Sequence, residues 1–270
     1  MNNELVLLTD VSYGAHERQK ADIFIPQAPK SNAGLILFIH GGGWKEGDKQ
    51  VHHPDAQYFC EHGYITACLN YRYVSDEITV FEELDDIASA LHAIRSKCLE
   101  FDYCLDKVIL SGGSAGSNLA LLYAYSRRNS ASVQPVAVCA YCPPVDCTRD
   151  DFLLGISGEF EDWKFGILSE CCGVRITKDE LMNDVQQNAL KKMSPAHYVS
   201  SDCIPTAVFH GKRDEIIPVS HVMDFTELLK SFGIRNDLLI YENSGHALDK
   251  DEETAIKAKT VILEYAKEYL

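Results

Sequence analysis

The chain has 270 residues, of which 46% are hydrophobic and 24% charged, a composition that excludes intrinsic disorder as its main state. Its 25 lysines and arginines stand against 40 aspartates and glutamates, which leaves a formal net charge of -15. This acidic balance, with no basic cluster larger than a pair, argues against a nucleic-acid-binding protein and against docking on an anionic membrane.

Short β-rich runs alternate along the chain with longer helix-like runs. The predicted strands cover residues 5–8, 21–25, 35–39, 65–69, 108–110, 136–140, 206–209 and 238–241. From residue 35 onward these runs are almost continuously apolar, which is typical of parallel strands that are covered on both faces. The predicted helices cover residues 54–61, 81–98, 115–127, 219–232 and 252–270. This alternation predicts a doubly wound α/β fold with right-handed crossovers.

The stretch from about residue 147 to 199 breaks the alternation. It has no convincing strand, and its charged residues are mixed with aromatic and aliphatic ones. Because a structureless loop of this length is unusual in a compact domain, we expect a small, mostly helical cap insertion over one end of the sheet. An ordinary crossover with a long surface loop is the alternative. Since no repeat or linker divides the chain, residues 1–270 are predicted to form a single domain.

The strongest chemical signal is Gly112-Gly113-Ser114-Ala115-Gly116, which lies between a predicted strand and a predicted helix. This is a G-x-S-x-G pattern in the strand–turn–helix context that it requires. A serine on so tight a turn exposes its hydroxyl at the carboxyl edge of the sheet, and flanking glycines avoid steric clashes. Ser114 is therefore the candidate nucleophile, and a simple turn with a helix-capping serine is the alternative.

A second signal, His40-Gly41-Gly42-Gly43-Trp44, directly follows the predicted strand 35–39. Glycines at this position free the backbone to point N–H groups outward, and with the N–H of Ala115 they would form an oxyanion hole. We expect Gly42 and Gly43 to supply these amides. A nucleotide site is disfavoured, because the chain lacks both P-loop and G-x-G-x-x-G spacing here.

Two further candidates each follow a later strand. Asp214 lies in the loop after strand 206–209, and His246 lies in the loop after strand 238–241. Both loops leave the carboxyl edge of the sheet, as the serine does, and the order Ser…Asp…His is that expected of α/β-hydrolases. Glu215 is the nearest competitor for the acid, and Asp249 is a more distant one.

Taken together, these motifs resemble the α/β-hydrolase superfamily, in its esterase/lipase-like branch with an HGGGW loop, over nearly the whole chain. The resemblance implies a mostly parallel eight-stranded sheet flanked by helices, with Ser114 as nucleophile, Asp214 as acid and His246 as base. The elbow differs from the G-D-S-A-G-G pattern of hormone-sensitive-lipase-like enzymes. The acid segment is similar to the HG-x-x-D-x-x-x-P form of carbohydrate acetyl esterases, kynurenine-formamidase-like enzymes and prolyl-oligopeptidase-type domains.

The expected activity is hydrolysis of short-chain carboxylic esters, such as acetyl esters, through an acyl-enzyme on Ser114. Trp44 and Trp163 are candidate substrate-binding residues, with core packing as their alternative role. An arylformamidase or a small peptidase is the alternative enzyme. A non-catalytic ligand-binding module on a hydrolase scaffold is the alternative from a different class.

We expect no cofactor and no metal, because the proposed chemistry needs neither. The expected partner is a small-molecule ester, with no nucleic acid and no membrane, and a homo-oligomer stays open. No apolar run approaches the roughly 20 residues that span a bilayer, and residues 1–4 do not resemble the start of a signal peptide. A cytoplasmic location is therefore expected.

Overall fold

A computed structural model of the protein describes residues 5–27, 34–154, 159–181 and 183–270. The strands are β1 (Val6–Ser12), β2 (Lys20–Ile25), β3 (Leu35–Ile39), β4 (Ile65–Asn70), β5 (Lys107–Gly113), β6 (Gln134–Tyr141), β7 (Thr206–Gly211) and β8 (Asn236–Tyr241). They form one eight-stranded sheet in the order β1-β2-β4-β3-β5-β6-β7-β8. The β1–β2 and β2–β4 pairs are antiparallel, whereas every pair from β4–β3 to β7–β8 is parallel. The predicted mostly parallel eight-stranded sheet is confirmed.

Helices connect the parallel strands. The described α-helices are α1 (His53–Glu61), α2 (Val80–Leu99), α3 (Ala115–Ser126), α4 (Asp150–Leu153), α5 (Glu159–Cys172), α6 (Asp184–Lys192), α7 (Val219–Ser231) and α8 (Glu252–Tyr269). Local sequence sets some of their ends. The Thr79 side chain accepts from the Phe81 amide at the start of α2, and the Thr79 amide donates to the Glu82 carboxylate. Gly233, with φ +73°, follows the end of α7.

Two hydrophobic cores cover the two faces of the sheet, and β3 contributes to both. Leu35, Leu37 and Ile39 face a core that includes side chains of α2, α3 and α7. Ile36 and Phe38 face a second core formed with α1 and α8. All five side chains are at most 2% exposed, which explains why this strand reads as a continuous apolar run rather than an alternating one.

The chain between β6 and β7 contains α4, α5 and α6, and its described residues contain no strand. Phe152, Phe165 and Leu168 from this part belong to the same core as α2 and α3. A Cβ placed on Gly43, in the loop after β3, would lie 3.2 Å from the Trp163 ring of α5. Helix α5 therefore packs beside the carboxyl edge of the sheet. Within the described ranges, no helix combines the length and apolar character needed to cross a bilayer.

Candidate active site

Ser114 occupies a strained turn between β5 and α3. Its backbone has φ 52° and ψ -120°, a conformation that costs energy for any residue with a Cβ and that persists only where its surroundings impose it. The Ser114 amide donates to the Tyr141 carbonyl at 2.8 Å, and its carbonyl accepts from the Asn118 amide at 3.1 Å. The Ser117 hydroxyl also donates to that carbonyl, at 2.6 Å. These bonds fix the turn from both sides, and the Ser117 hydroxyl helps to hold it.

The flanking glycines are needed because the turn presses against the end of β3. A Cβ on Gly116 would lie 2.1 Å from the Ile39 carbonyl oxygen, and one on Gly112 would lie 2.7 Å from the same atom. Gly113, by contrast, has nothing within 4 Å of its Cβ position. The steric explanation of the G-x-S-x-G pattern is therefore confirmed at its two outer glycines.

This contrast gives a matched pair of variants. Gly116→Ala forces a backbone shift between α3 and β3, and we expect it to destabilise the fold by about 2 kcal/mol or more. Gly113→Ala has room for its methyl group and should change the free energy of unfolding by less than about 0.5 kcal/mol. Urea unfolding followed by circular dichroism measures both, and equal stabilities would contradict the steric argument.

Asp214 and His246 meet in the loops that follow β7 and β8, which are neighbours in the sheet. The His246 Nδ1 lies 2.7 Å from Oδ2 of Asp214. The other carboxylate oxygen, Oδ1, accepts from the Ile216 and Ile217 amides, each at 2.9 Å. Both oxygens of Asp214 are thus used, and the carboxylate is held rigidly against one ring nitrogen of the histidine.

The electrostatics favour an ionised Asp214. Burial alone raises the pKa of a carboxyl group, but the hydrogen bond and charge of His246 and the Ile217 amide outweigh it. The pKa of Asp214 is consequently lowered from its ordinary value. In the described part of the chain, neither of the competing acids, Glu215 and Asp249, hydrogen-bonds to His246.

The His246 loop is fixed by a local network around Asp251. The Ser244 hydroxyl donates to Asp251 Oδ2 at 2.6 Å, and the Asn243 amide donates to the same oxygen at 3.0 Å. The Lys250 amide in turn donates to the Ser244 hydroxyl at 3.0 Å. This network closes the loop on both sides of His246 and sets the position of its ring.

Among the described residues, Cys142, Asp214 and His246 bring potential metal-ligating atoms within 4.8 Å of one another. Tetrahedral zinc with bonds of about 2 Å holds its ligand atoms roughly 3.3 Å apart. His246 Nδ1 and Asp214 Oδ2 lie closer together, at 2.7 Å, which is an ordinary hydrogen-bond distance. The Cys142 thiol points to the His246 carbonyl oxygen at 3.6 Å, and burial raises its pKa. The geometry is that of a hydrogen-bonded acid–base pair with a neutral thiol beside it.

The glycine loop after β3 turns sharply next to Ser114. Gly42 has φ +112° and Gly43 has φ +56°, and the Gly42 carbonyl accepts from the Glu46 amide at 2.9 Å. Within the described part of the chain, the amides of Gly42 and Gly43 donate to no protein acceptor. The Ala115 amide is the first of α3 and has no partner inside the helix. These three predicted donors are therefore available to a bound oxygen.

His40 holds this loop in place. Its Nδ1 lies 2.7 Å from the Gly41 carbonyl oxygen, its Nε2 lies 3.2 Å from Arg18, and its ring stacks on Tyr71 at 4.3 Å. Burial lowers the pKa of His40 to about 4, so the ring is neutral at neutral pH, with Nδ1 as donor and Nε2 as acceptor.

Two cavities meet at Ser114 and His246. The first, of about 340 Å³, extends under α5 and has mainly apolar walls, formed by Gly42, Gly43, Trp44, Glu46, Pro144, Phe152, Trp163, Lys164, Ile167, Leu168, Ile216 and Ile217. The second, of about 410 Å³, extends toward α1 and α8. A further cavity of about 690 Å³ lies near the amino ends of β5 and β6 and contains none of the predicted site residues. The first cavity, which we call the α5 cavity, is the candidate substrate site.

Trp44 and Trp163 both line the α5 cavity, but they differ in exposure. Trp44 is only 5% exposed and belongs to the main core as well as to the cavity wall, so its position is compatible with substrate binding and with core packing. Trp163 is 46% exposed and lies at the cavity wall against Gly43.

Sequence reasoning missed other parts of this wall, notably Lys164, Ile216 and Ile217. Ile216 and Ile217 follow Asp214 directly and share its loop, so their proximity was a usable signal. No local pattern marked Lys164, because its place depends on how α5 packs over the sheet edge.

Known proteins share this architecture. A probable carboxylic ester hydrolase, LipM of Mycobacterium tuberculosis (strain ATCC 25618 / H37Rv), is 26% identical over 233 residues, which cover 82% of this chain and 51% of LipM. A probable isoprenylcysteine alpha-carbonyl methylesterase, ICME of Oryza sativa subsp. japonica, is 26% identical over 247 residues, which cover 89% of this chain and 58% of ICME. A truncated form of a carbohydrate esterase from gut microbiota has the same fold, with a TM-score of 0.76 at 16% identity and coverage of 96% of this chain and 99% of that one.

These matches confirm that the protein is an α/β-hydrolase. It belongs to the BD-FAE family, a carboxylesterase-like family whose model matches residues 21–229. The chain spans little more than half the length of the two curated relatives described above.

Proposed function

We propose that the protein is a serine hydrolase that cleaves short-chain carboxylic esters through an acyl-enzyme on Ser114. The observation that carries this proposal is the meeting of Ser114, on its strained elbow, with the Asp214-bound His246 at one cavity. The esterase names of the relatives agree with it.

In the proposed first step, the Ser114 hydroxyl oxygen attacks the ester carbonyl, and His246 Nε2 accepts the hydroxyl proton. Asp214 holds Nδ1 at 2.7 Å, which leaves Nε2 as the basic nitrogen and stabilises the positive ring. The proton then passes from Nε2 to the leaving alkoxide. Water repeats the sequence on the acyl-enzyme, releasing the acid and restoring Ser114.

The negative oxygen of the tetrahedral intermediate would be held by the amides of Gly42, Gly43 and Ala115. This proposal is supported by the lack of a protein acceptor for these amides among the described residues. Gly42 and Gly43 also line the same cavity as Ser114, and Ala115 directly follows Ser114. One such donor typically lowers the barrier by about 3 kcal/mol.

The α5 cavity supports a small acyl group. Its volume of about 340 Å³ is bounded by the rings of Trp44, Phe152 and Trp163. We propose that these three rings limit the length of the acyl chain, and we expect kcat/KM for p-nitrophenyl esters to fall by about tenfold or more from butyrate to octanoate. Initial rates on the acetate, butyrate and octanoate esters measure it. A rate that rises with chain length would contradict the short-acyl assignment.

A second readout separates this function from its alternatives. A fluorophosphonate should label the protein, and mass spectrometry should place the label on Ser114. Labelling without hydrolysis of any of the esters would point to formamide or peptide substrates. The absence of both labelling and turnover would favour a non-catalytic binding module.

The proposal includes a small-molecule ester as the partner and the cytoplasm as the location. The location is supported by the ten cysteines, all of which are free thiols.

A further inference from the structure

Lys164 is a buried cation in the wall of the α5 cavity. It lies on α5 between Trp163 and Phe165, and it is only 4% exposed. The same cavity wall contains Ser114 and His246, and most of its other side chains are apolar. A lysine is rarely buried to this extent without a paired charge.

The ammonium group of Lys164 has fewer partners than donors. It donates to the Phe152 carbonyl oxygen, and its nitrogen lies 4.5 Å from the centre of the Phe152 ring. An ammonium group carries three N–H donors. Among the described residues, no carboxylate oxygen lies within 4 Å of it, and no second hydrogen-bond acceptor contacts it. Within the described ranges, its charge is therefore uncompensated by any direct ion pair.

The acid of the same helix whose charge acts on Lys164 is already paired. Glu161 forms an ion pair with Lys178 at 2.9 Å. Burial lowers the pKa of Lys164, while the more distant Glu161 and Cys147 act in the opposite direction. An anion that enters the cavity would relieve the cost of burying this charge.

We propose that Lys164 makes the α5 cavity selective for esters whose acyl part ends in a carboxylate, that is, monoesters of short dicarboxylic acids. This inference rests on the proposed function, because it assigns the α5 cavity to the acyl group of the substrate. The apolar walls hold the methylene chain, and the Lys164 ammonium pairs with the distal carboxylate.

The net charge of -15 and the cavity-lining Glu46 oppose an anionic substrate. Glu46 is exposed, so water and salt screen its charge. Lys164 is buried, and a buried charge acts on a bound ion far more strongly than an exposed one does. The local cation consequently outweighs the overall charge for a group bound inside the cavity.

A purely structural role is the competing explanation, since Lys164 contacts a carbonyl near the end of α4. The two roles make different predictions. A structural lysine would affect stability, and it would affect all substrates alike. A carboxylate-binding lysine changes the ratio between a charged substrate and a neutral one of the same shape.

The test compares monomethyl glutarate with methyl 5-methylhexanoate, in which an isopropyl group replaces the carboxylate. Methanol release, followed by proton NMR, gives kcat/KM for each. Monomethyl succinate and monomethyl adipate are included to bracket the chain length. The variants are Lys164→Met, which removes the charge, and Lys164→Gln, which removes the charge but keeps a donor for the Phe152 carbonyl. Lys191→Met on α6, an exposed lysine outside the cavity, controls for net charge.

In the wild-type protein, kcat/KM should be about tenfold or more higher for a dicarboxylate monoester than for the isopropyl analogue. One charge-assisted hydrogen bond contributes a factor of about this size. That ratio should fall about tenfold in both Lys164 variants and stay unchanged in Lys191→Met. If both substrates are hydrolysed and the ratio of their kcat/KM values is the same in wild type and Lys164→Met, the inference is overturned and the esterase function is left intact.

Binding to the Ser114→Ala protein separates the two proposals further. Monomethyl glutarate should bind this variant, by NMR titration, about tenfold more tightly than it binds Ser114→Ala/Lys164→Met. If no ester is hydrolysed by wild type but this difference appears, the carboxylate site stands and the hydrolase assignment fails. Equal affinities would overturn the carboxylate site.

Discussion

Replacing Ser114 by alanine is expected to lower kcat/KM for p-nitrophenyl acetate by about 10⁴-fold or more. The substitution removes the hydroxyl oxygen that is proposed to form the covalent intermediate. Once this nucleophile is gone, Asp214 and His246 contribute little to the rate, because the three side chains act together. The remaining rate would come from the oxyanion donors and from binding alone. Steady-state hydrolysis with the purified variant measures the loss.

The fold should survive this change, because alanine keeps the Cβ and the backbone hydrogen bonds of the elbow. A thermal midpoint within a few degrees of wild type would establish this. Ser126→Ala is the matched control, since Ser126 ends α3 and, among the described residues, its hydroxyl donates only to the Leu122 carbonyl within the same helix. Retention of most activity by Ser114→Ala would remove Ser114 from the mechanism.

The sheet was predictable from the sequence because its signals are local. β3 is buried on both faces, so five consecutive apolar residues identify it without knowledge of its neighbours. The prediction was poorer for β1, which extends to Ser12 rather than ending at residue 8. This edge strand is mostly exposed, so polar residues interrupt its apolar pattern. Its pairing with β2 also shifts register between Leu8 and Val11.

The geometry around Ser114 and His246 was predictable for a related reason. In a parallel sheet, every loop at the carboxyl edge opens on the same side, and the Asp214 and His246 loops follow adjacent strands. The chain order therefore brings them together without any knowledge of packing. Asp214 was the predicted acid, with Glu215 as its nearest competitor, because one residue of offset in a loop changes the direction of the side chain.

The walls of the α5 cavity were less predictable. The position of Lys164 depends on how α5 packs over the sheet edge, and that packing involves contacts between residues far apart in sequence. Its neighbours are aromatic and aliphatic, so a hydropathy pattern treats it as an interruption of a core helix. Charge buried at a cavity is a tertiary property, and only the three-dimensional structure could reveal it.

Replacing Asp214 by asparagine is expected to lower kcat by about 10³-fold to 10⁴-fold while leaving the fold intact. The reason lies in how Asp214 is bound. Its Oδ1 accepts from the Ile216 and Ile217 amides, and only Oδ2 contacts His246. An asparagine must keep its carbonyl oxygen toward the two amides, which turns its NH2 group toward His246 Nδ1. That donor fixes the histidine with its proton on Nε2, the nitrogen that must accept the proton of Ser114.

Glu215→Gln and Asp249→Asn are the matched controls for Asp214→Asn. Each removes one negative charge near the site, yet neither side chain hydrogen-bonds to His246 among the described residues. Both should keep kcat within about twofold of wild type, as expected of charges that do not touch the reacting groups. A large loss in Glu215→Gln combined with near-normal turnover in Asp214→Asn would assign the acid to Glu215 instead. The predicted pattern would show that orientation of the histidine tautomer, rather than negative charge in the neighbourhood, is what the acid contributes.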